Sequence, residues 1–148
     1  MTYQYAYQGS QEGISKAVMT NIPISTKASA MIAQFIKNKS TTRAKKELEA
    51  VLKKTTAIPY TRYTEGAGHK TKIGPGKYPK KATQAFMALI DSAVANAIDM
   101  GLEEEKLIII ASSAHQASRG YNYGRKRGQK KKNSHIEIVL KEQEEKKE

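Results

Sequence analysis

The sequence predicts an α+β fold: a small three-stranded antiparallel sheet packed with three helices, plus a long protruding β-hairpin. Three observations carry that expectation. Two apolar, β-branched runs of strand length, Leu107-Ile108-Ile109-Ile110-Ala111 and Ile136-Glu137-Ile138-Val139-Leu140, stand near the end of the chain. Between them lies 119–132, with seven cations, two tyrosines, three glycines and no acid. Upstream, three stretches place apolar residues at three- and four-residue steps, the period of a helix with one buried face. Two strands that share a core but are joined by a stretch with nothing to bury imply an arm. Extended from Leu107 to Tyr123, a strand would cover roughly 50 Å at about 3.3 Å per residue, well beyond the radius of gyration near 13 Å of a domain of about 100 residues.

Residues 1–15 are polar and tyrosine-rich, and read as an N-terminal extension lying against another surface, such as a partner's. Lys16 to Ile22, with Ala17, Val18 and Ile22 apolar, reads as a short strand ended by Pro23. Ser25 is placed to cap a first helix whose Ala28, Met31, Ile32, Phe35 and Ile36 fall at helical spacing. Asn38-Lys39-Ser40 breaks it. A second helix begins at Ser40 or Thr41, with Ala44, Leu48, Val51 and Leu52 on one side and Lys45, Lys46, Glu49 and Lys53 on the other.

Thr55 to Tyr78 reads as a long basic loop with two Gly-x-Gly turns, and structureless stretches of this length are usually functional or disordered. Pro79 suits the first position of a third helix. Its apolar stripe runs through Ala82, Ala85, Phe86, Leu89, Ile90, Ala93, Val94, Ala97 and Ile98. Gly101 is placed to end that helix in the left-handed region, with Leu102 supplying the apolar contact of a Schellman cap. On the return strand Ile136, Ile138 and Leu140 share one face, Glu137 and Val139 the other. Residues 141–148 read as a frayed, mixed-charge tail. One domain, 1–148, thus divides into the extension 1–15, a helical part 16–106 with the basic loop 55–78, a hairpin 107–140 with a basic tip 117–133, and the tail.

The charge is large and unevenly placed. Lys and Arg number 26 against 14 acids, a formal charge of +12. Residues 53–81 hold eight cations and one acid, whereas 91–105 hold five acids and no cation. Confined basic surfaces point to a polyanion, nucleic acid first and an anionic membrane surface second. The membrane reading wants an amphipathic helix with cations on one face and bulky apolar residues on the other. The third helix has an acidic and small polar face instead, and the cations sit between elements. No run approaches the roughly 18 apolar residues of a membrane span. The N-terminus lacks the basic start and apolar core of a signal peptide, so a soluble, cytosolic protein is expected.

Catalytic constellations are absent from the sequence. Cysteine does not occur, which removes disulfides and thiolate metal sites. His69, His115 and His135 are scattered and have no i, i+4 partner, so neither a metal nor another cofactor is expected. Asp91 and Asp99, the only aspartates, lie more than two turns apart on one helix, too far to share a proton or clamp two metals. Gly76-Lys77-Tyr78 lacks the Ser or Thr and the spacing of a phosphate loop.

What remains is a pattern of cations interleaved with aromatics, as backbone-phosphate contacts and base stacking require. In the central stretch the candidate RNA-binding residues are Tyr60, Arg62, Tyr63, His69, Lys70, Lys72, Lys77 and Tyr78, followed by Lys80 and Lys81. On the hairpin they are Arg119, Tyr121, Tyr123, Arg125, Lys126, Arg127, Lys130, Lys131, Lys132 and His135.

Specific strings sharpen the reading. Gly76-Lys77-Tyr78-Pro79-Lys80-Lys81-Ala82, then the alanine-rich helix with Asn96, then Gly101-Leu102, resembles the large-subunit ribosomal protein family numbered twenty-two in bacteria and archaea and seventeen in eukaryotes. Ile24-Ser25-Thr26-Lys27-Ala28 is similar to its first helix start, and Pro59-Tyr60-Thr61-Arg62-Tyr63 to its central loop. Ser134-His135-Ile136-Glu137-Ile138-Val139-Leu140 is similar to its last strand. The long central stretch and the tyrosine-bearing start resemble the archaeal and eukaryotic branch. At the tip, Asn122 to Gln129 departs from the Pro-Arg-Ala-x-Gly-Arg string usual in the family.

The resemblance implies a structural, non-catalytic protein of the cytoplasmic ribosome. Its hairpin would thread large-subunit ribosomal RNA, and its tip would help form the wall of the nascent-peptide exit tunnel. The implied partners are that RNA, neighbouring large-subunit proteins and the nascent polypeptide, with no membrane. The alternative is a free-standing RNA-binding or RNA-processing factor using the same basic surfaces.

Overall fold

The computed structural model describes residues 3–9 and 12–143. The expected order of strand, helix, helix, helix, strand, strand is observed, with one addition in the middle. β1 (Ile14–Ile22) begins two residues before the expected Lys16. α1 (Thr26–Ile36), α2 (Thr41–Leu52) and α3 (Lys80–Asp99) follow, and β5 (Leu107–Gln116) and β6 (Ser134–Glu142) close the chain. The addition is a second, miniature sheet of β2 (Ile58–Pro59), β3 (Gly68–Lys70) and β4 (Gly74–Lys77).

β6 is the centre of the main sheet, paired antiparallel with β1 on one side and β5 on the other. Its alternation decides the layering. Ile136, Ile138 and Leu140 face the helices and are fully buried with Leu107 and Ile109 of β5, Phe86, Leu89 and Ile90 of α3, Ile32 and Ile36 of α1, and Leu48 of α2. Ser15 of β1 shares this inner face because its hydroxyl donates to the Ala93 carbonyl at 2.8 Å.

The helix ends follow local chemistry, with small shifts from expectation. Ser25 precedes α1 but its side chain makes no capping bond; its carbonyl instead accepts from the Ser29 amide and hydroxyl, both at 2.9 Å. Pro79 sits one position earlier than expected, as the cap residue itself, and its carbonyl accepts from the Thr83 amide and hydroxyl. The end of α3 is the expected Schellman cap. Gly101 has φ 79°, its amide donates to Ile98 O at 2.9 Å, and the Leu102 amide donates to Ala97 O at 3.0 Å. Ile98 leaves the predicted stripe and is 52% exposed. At about 100° per residue it lies roughly 120° around the helix from Phe86, past the buried face.

The α1–α2 turn closes part of the β5 edge. Asn38, with φ 62°, donates its amide to Ile109 O at 2.8 Å, and Ile109 donates back to Lys39 O at 3.0 Å. These bonds fall where the β5–β6 register slips between Ile109 and Ala111. The edge is thus satisfied by a loop, which removes a template for strand addition.

The stretch 55–78 is not a structureless loop. β4 pairs with both β2 and β3, and the turn between β3 and β4 uses left-handed Lys72 (φ 74°) and Gly74 (φ 72°). Gly76 lies at its centre, where a Cβ would come within 3.0 Å of Lys70 Cγ and 3.1 Å of Ala57 Cβ. Ala57, Ile58 and Tyr60 are buried and tie the small sheet to the core. Strands of two to four residues containing Gly-Pro-Gly carry no alternation and normally argue against a strand, so the pattern could not announce them.

The N-terminal segment lies on the protein's own sheet, on the face away from the helices. Glu137 of β6 projects there and is 2% exposed. Its carboxylate accepts from the Tyr3 hydroxyl at 3.2 Å, the Ala6 amide at 3.2 Å and the Ser113 hydroxyl at 2.9 Å, with His115 Nε2 at 3.6 Å. Burial, and then the neighbouring Glu137 charge, push the Tyr3 and Tyr5 hydroxyls above their ordinary pKa. At the other end, the expected tail begins later than predicted, since Lys141 and Glu142 belong to β6; residues 144–148 lie outside the described residues.

Candidate nucleic-acid interface

Regular pairing of the hairpin stops at Gln116 opposite Ser134, but the two legs continue side by side. Ala117 donates to Asn133 O at 3.1 Å, Lys131 to Gly120 O at 2.8 Å, and Asn122 to Gln129 O at 2.9 Å. Arg119 Nε reaches across to Lys131 O at 2.9 Å, and Asn133 Nδ2 to Ser118 O at 3.0 Å. A single 3₁₀ turn, Gly124–Lys126, reverses the chain with Gly124 at φ 63°. The arm expected from sequence is therefore present, although β5 ends well before the tip.

All seven arm cations are exposed: Arg119, Arg125, Lys126, Arg127, Lys130, Lys131 and Lys132. None of them has a carboxylate partner among the described residues. Tyr121 and Tyr123 are 59% and 89% exposed, unusual for large aromatics on a free surface. Lys130 Nζ lies 5.3 Å from the Tyr121 ring centre and Lys131 Nζ 6.0 Å from that of Tyr123. Like charges crowded on a two-legged arm repel one another, and a polyanion alongside relieves that repulsion.

A second group gathers where the arm leaves the globule. A cleft of about 580 Å³ is bounded by the start of α1, the miniature sheet and Lys132. Tyr60, Tyr63 and Tyr78 line it, each with an ammonium near its ring: Lys77 at 5.2 Å from Tyr60, Lys27 at 5.4 Å from Tyr63 and Lys70 at 5.5 Å from Tyr78. Lys77 Nζ also donates to the Glu65 carbonyl at 2.9 Å. Tyr60 is 4% exposed and belongs to the core, so it forms a wall of the cleft and presents no free face; burial pushes its hydroxyl above the ordinary tyrosine pKa. Tyr63 is the open aromatic, with φ 57°, a conformation that bulky residues rarely adopt.

The other predicted residues scatter around these two groups. Arg62 is exposed beside Tyr63, and His69 and Lys72 are exposed on the miniature sheet. Lys80 and Lys81 are exposed in the first turn of α3, where no acid stands. That end of a helix disfavours positive charge, so the two cations weaken α3 in the absence of a partner anion. His135 stands opposite His115 in the hairpin register, and its Nδ1 accepts from the Asn21 amide at 3.2 Å, which commits that nitrogen within the protein. Lys27 was not a candidate from sequence. Its single signal was its place in the Ile24–Ala28 string, because one lysine at a helix start carries no pattern of its own.

Among the described residues no group of three or more His, Asp or Glu could hold a metal ion, and no helix is long and apolar enough to cross a membrane. A family profile described as ribosomal protein L22p/L17e matches residues 17–141. The chain is 35% identical over 146 residues to a Nanoarchaeum equitans protein named large ribosomal subunit protein uL22, covering 92% of this chain and 83% of that one. It is 36% identical over 133 residues to the protein of that name from Thermoplasma acidophilum, covering 86% and 88% of the two chains. With the Staphylothermus marinus counterpart it shares 33% over 153 residues, covering 95% and 98%.

Proposed function

This chain belongs to the ribosomal protein L22p/L17e family, and from that premise we propose that it is a structural, non-catalytic constituent of the large ribosomal subunit, held in the cytoplasmic ribosome by ribosomal RNA and neighbouring large-subunit proteins. The globule docks on RNA through the residues around its basic cleft. The arm runs between RNA segments, and its tip helps line the nascent-peptide exit tunnel, where it meets the growing polypeptide. In this reading the extension, the globule, the arm and the tail are parts of one domain, whose core lies in the globule and the foot of the hairpin.

The observation that carries this reading is the arm: seven exposed cations without a carboxylate partner among the described residues, carried by strands anchored in the core through Leu107, Ile109, Ile136, Ile138 and Leu140. Phosphate contacts from such a surface fix position, while the protein fold fixes where the arm points. The test is sedimentation. The protein is expected to remain with large subunits through a high-salt wash, and a variant lacking 119–132 to be folded but recovered in the soluble fraction. Recovery of the unaltered protein only in the soluble fraction would overturn the ribosomal reading in favour of a free-standing RNA factor.

A further inference from the structure

We propose that the cleft at the root of the arm is a receptor for one unpaired nucleotide of large-subunit ribosomal RNA, its base against Tyr63 and its phosphate between Lys27 and Lys132. The inference rests on the RNA-binding reading above and adds to it a defined pocket, a residue that stacks and a direction for the strand.

Shape is the first argument. The cleft holds about 580 Å³, within the roughly 300–1,000 Å³ range of pockets that enclose small ligands. A paired base is covered on its Watson–Crick edge and on both faces, and cannot enter such a concavity. An unstacked one can, and single-stranded RNA is recognised by splaying bases onto aromatic rings. Tyr63 is the ring that offers a face. It is 44% exposed, and its left-handed backbone is the kind of locally costly conformation that persists where a side chain must be aimed. Tyr78 is partly buried and Tyr60 almost wholly so, so they shape the wall behind.

Charge is the second argument. Lys27, Lys77 and Lys132 face the cleft against one acid, Glu65. Lys77 is engaged by the Glu65 carbonyl, which leaves Lys27, beside the Tyr63 ring, and Lys132 as the cations at the mouth. Ser25, Lys27 and Ala28 at the start of α1 line the same space, where the first amides of a helix have no intrahelical acceptor and Ser25 makes no capping bond. These amides supplement the two lysines in holding a phosphate.

Continuity is the third. A second recess of about 300 Å³ shares Ser25, Lys27 and Lys132 with the cleft and runs on to Gln116, Arg119 and Asn133. A strand whose base sits on Tyr63 therefore passes its next phosphate along Lys27 and Lys132 toward Arg119, and so reaches the foot of the arm. The globule and arm become two ends of one RNA path.

The test compares variants of the full chain binding large-subunit ribosomal RNA, with affinity, salt dependence and chemical reactivity of unpaired bases all measured. Tyr63→Ala is expected to lose about tenfold in affinity, the scale of one lost base–aromatic stack, with the slope of log affinity on log salt unchanged. One unpaired RNA position should become reactive in that complex and stay protected with Tyr63→Phe, which keeps the ring. Lys27→Ala should instead lower the slope by about 0.7 to 0.9. Tyr63→Gly relieves the positive φ, so the same loss in that variant cannot come from backbone strain. Tyr63→Ala and Tyr63→Gly binding within twofold of the unaltered protein, with no change in base reactivity, would overturn the proposal. If replacing Arg125, Lys126 and Arg127 with alanine still weakened binding in that case, the RNA-binding reading would stand and the nucleotide pocket alone would fall. Failure of the unaltered protein to bind the RNA would overturn both.

Discussion

The two halves of the hairpin differ more from each other than the hairpin differs from the rest of the molecule. In the lower half β5 and β6 pair from Leu107–Glu142 to Gln116–Ser134, and Ile136, Ile138 and Leu140 are wholly buried. In the upper half the same two legs are joined by scattered bonds, Tyr121 and Tyr123 are open to solvent, and Ala117 at its foot is the single buried residue. The comparison shows what a ladder needs. Backbone hydrogen bonds contribute only about 0.5–1.5 kcal/mol each once water competes, so an isolated two-stranded hairpin is marginal. A buried face makes the lower half a scaffold. The upper half has no such face, and in the proposed reading ribosomal RNA completes its shape.

The sharpest test of that contrast is the loss of side-chain volume on either side of the boundary. Ile138→Ala in the lower half should cost about 2–5 kcal/mol, as deletion of a fully buried side chain does. Leu89→Ala, on the helix that packs over it and equally buried, should cost a similar amount. Tyr123→Ala in the upper half should change stability by less than about 0.5 kcal/mol, the usual range for exposed positions. Urea unfolding followed by circular dichroism measures all three. An Ile138→Ala loss below about 1 kcal/mol would mean that the hairpin is not anchored by this face.

A smaller effect is expected on the sheet face turned away from the helices. Glu137→Ala removes the buried acceptor of the half-buried Ser113 hydroxyl and of the exposed Ala6 amide. The expected cost is about 1 kcal/mol, the net worth of hydrogen bonds whose donors water can still reach. The same variant should release the segment 3–9, read as faster hydrogen exchange of the Ala6 amide. Unchanged exchange at Ala6 would show that the tyrosines, and not the carboxylate, hold the segment down.

The contrast also explains what was legible in the sequence. The main sheet and the three helices announced themselves through apolar patterning, because burial on one face imposes it: Phe86, Leu89, Ile90 and Ala93 could hardly be read otherwise; the arm announced itself through a stretch with nothing to bury. The α3 cap was legible for the same reason that Gly101 is needed there, a left-handed φ that glycine adopts without strain. The miniature sheet was not legible. Its strands of two to four residues are held by backbone pairing to β4, where Gly76 packs closely on Lys70 and Ala57, and pieces so short leave no period. The N-terminal segment was hidden likewise, because its acceptor, Glu137, is more than 130 residues away. In the candidate site, cations and aromatics could be nominated by composition, but their sorting could not. Tyr60 turned inward and Tyr63 outward, three residues apart, because the first follows β2 directly and is tied by its amide to Pro75 O of β4, while the second lies in the connection beyond.

The smallest expected effect on stability falls at the tip, and it separates anchoring from folding. Arg125, Lys126 and Arg127 sit in and beside the 3₁₀ turn, exposed and far from any buried residue in the sequence of pairings. Replacing all three with alanine should therefore shift the unfolding free energy by no more than about 0.5 kcal/mol. The sign should be slightly stabilising at low salt, because three mutually repelling charges leave the arm. Binding should respond very differently. Each phosphate neutralised by a cation releases counterions, so log affinity falls with log salt at about −0.7 to −0.9 per contact, and the triple variant should flatten that slope by at most about 2 to 3 units. A smaller change would mean that some of these side chains face solvent, or the proposed tunnel, instead of phosphate, and single substitutions would then identify which. A large drop in stability would be the more damaging result. It would place the tip inside the cooperative unit and erase the boundary between the two halves of the hairpin.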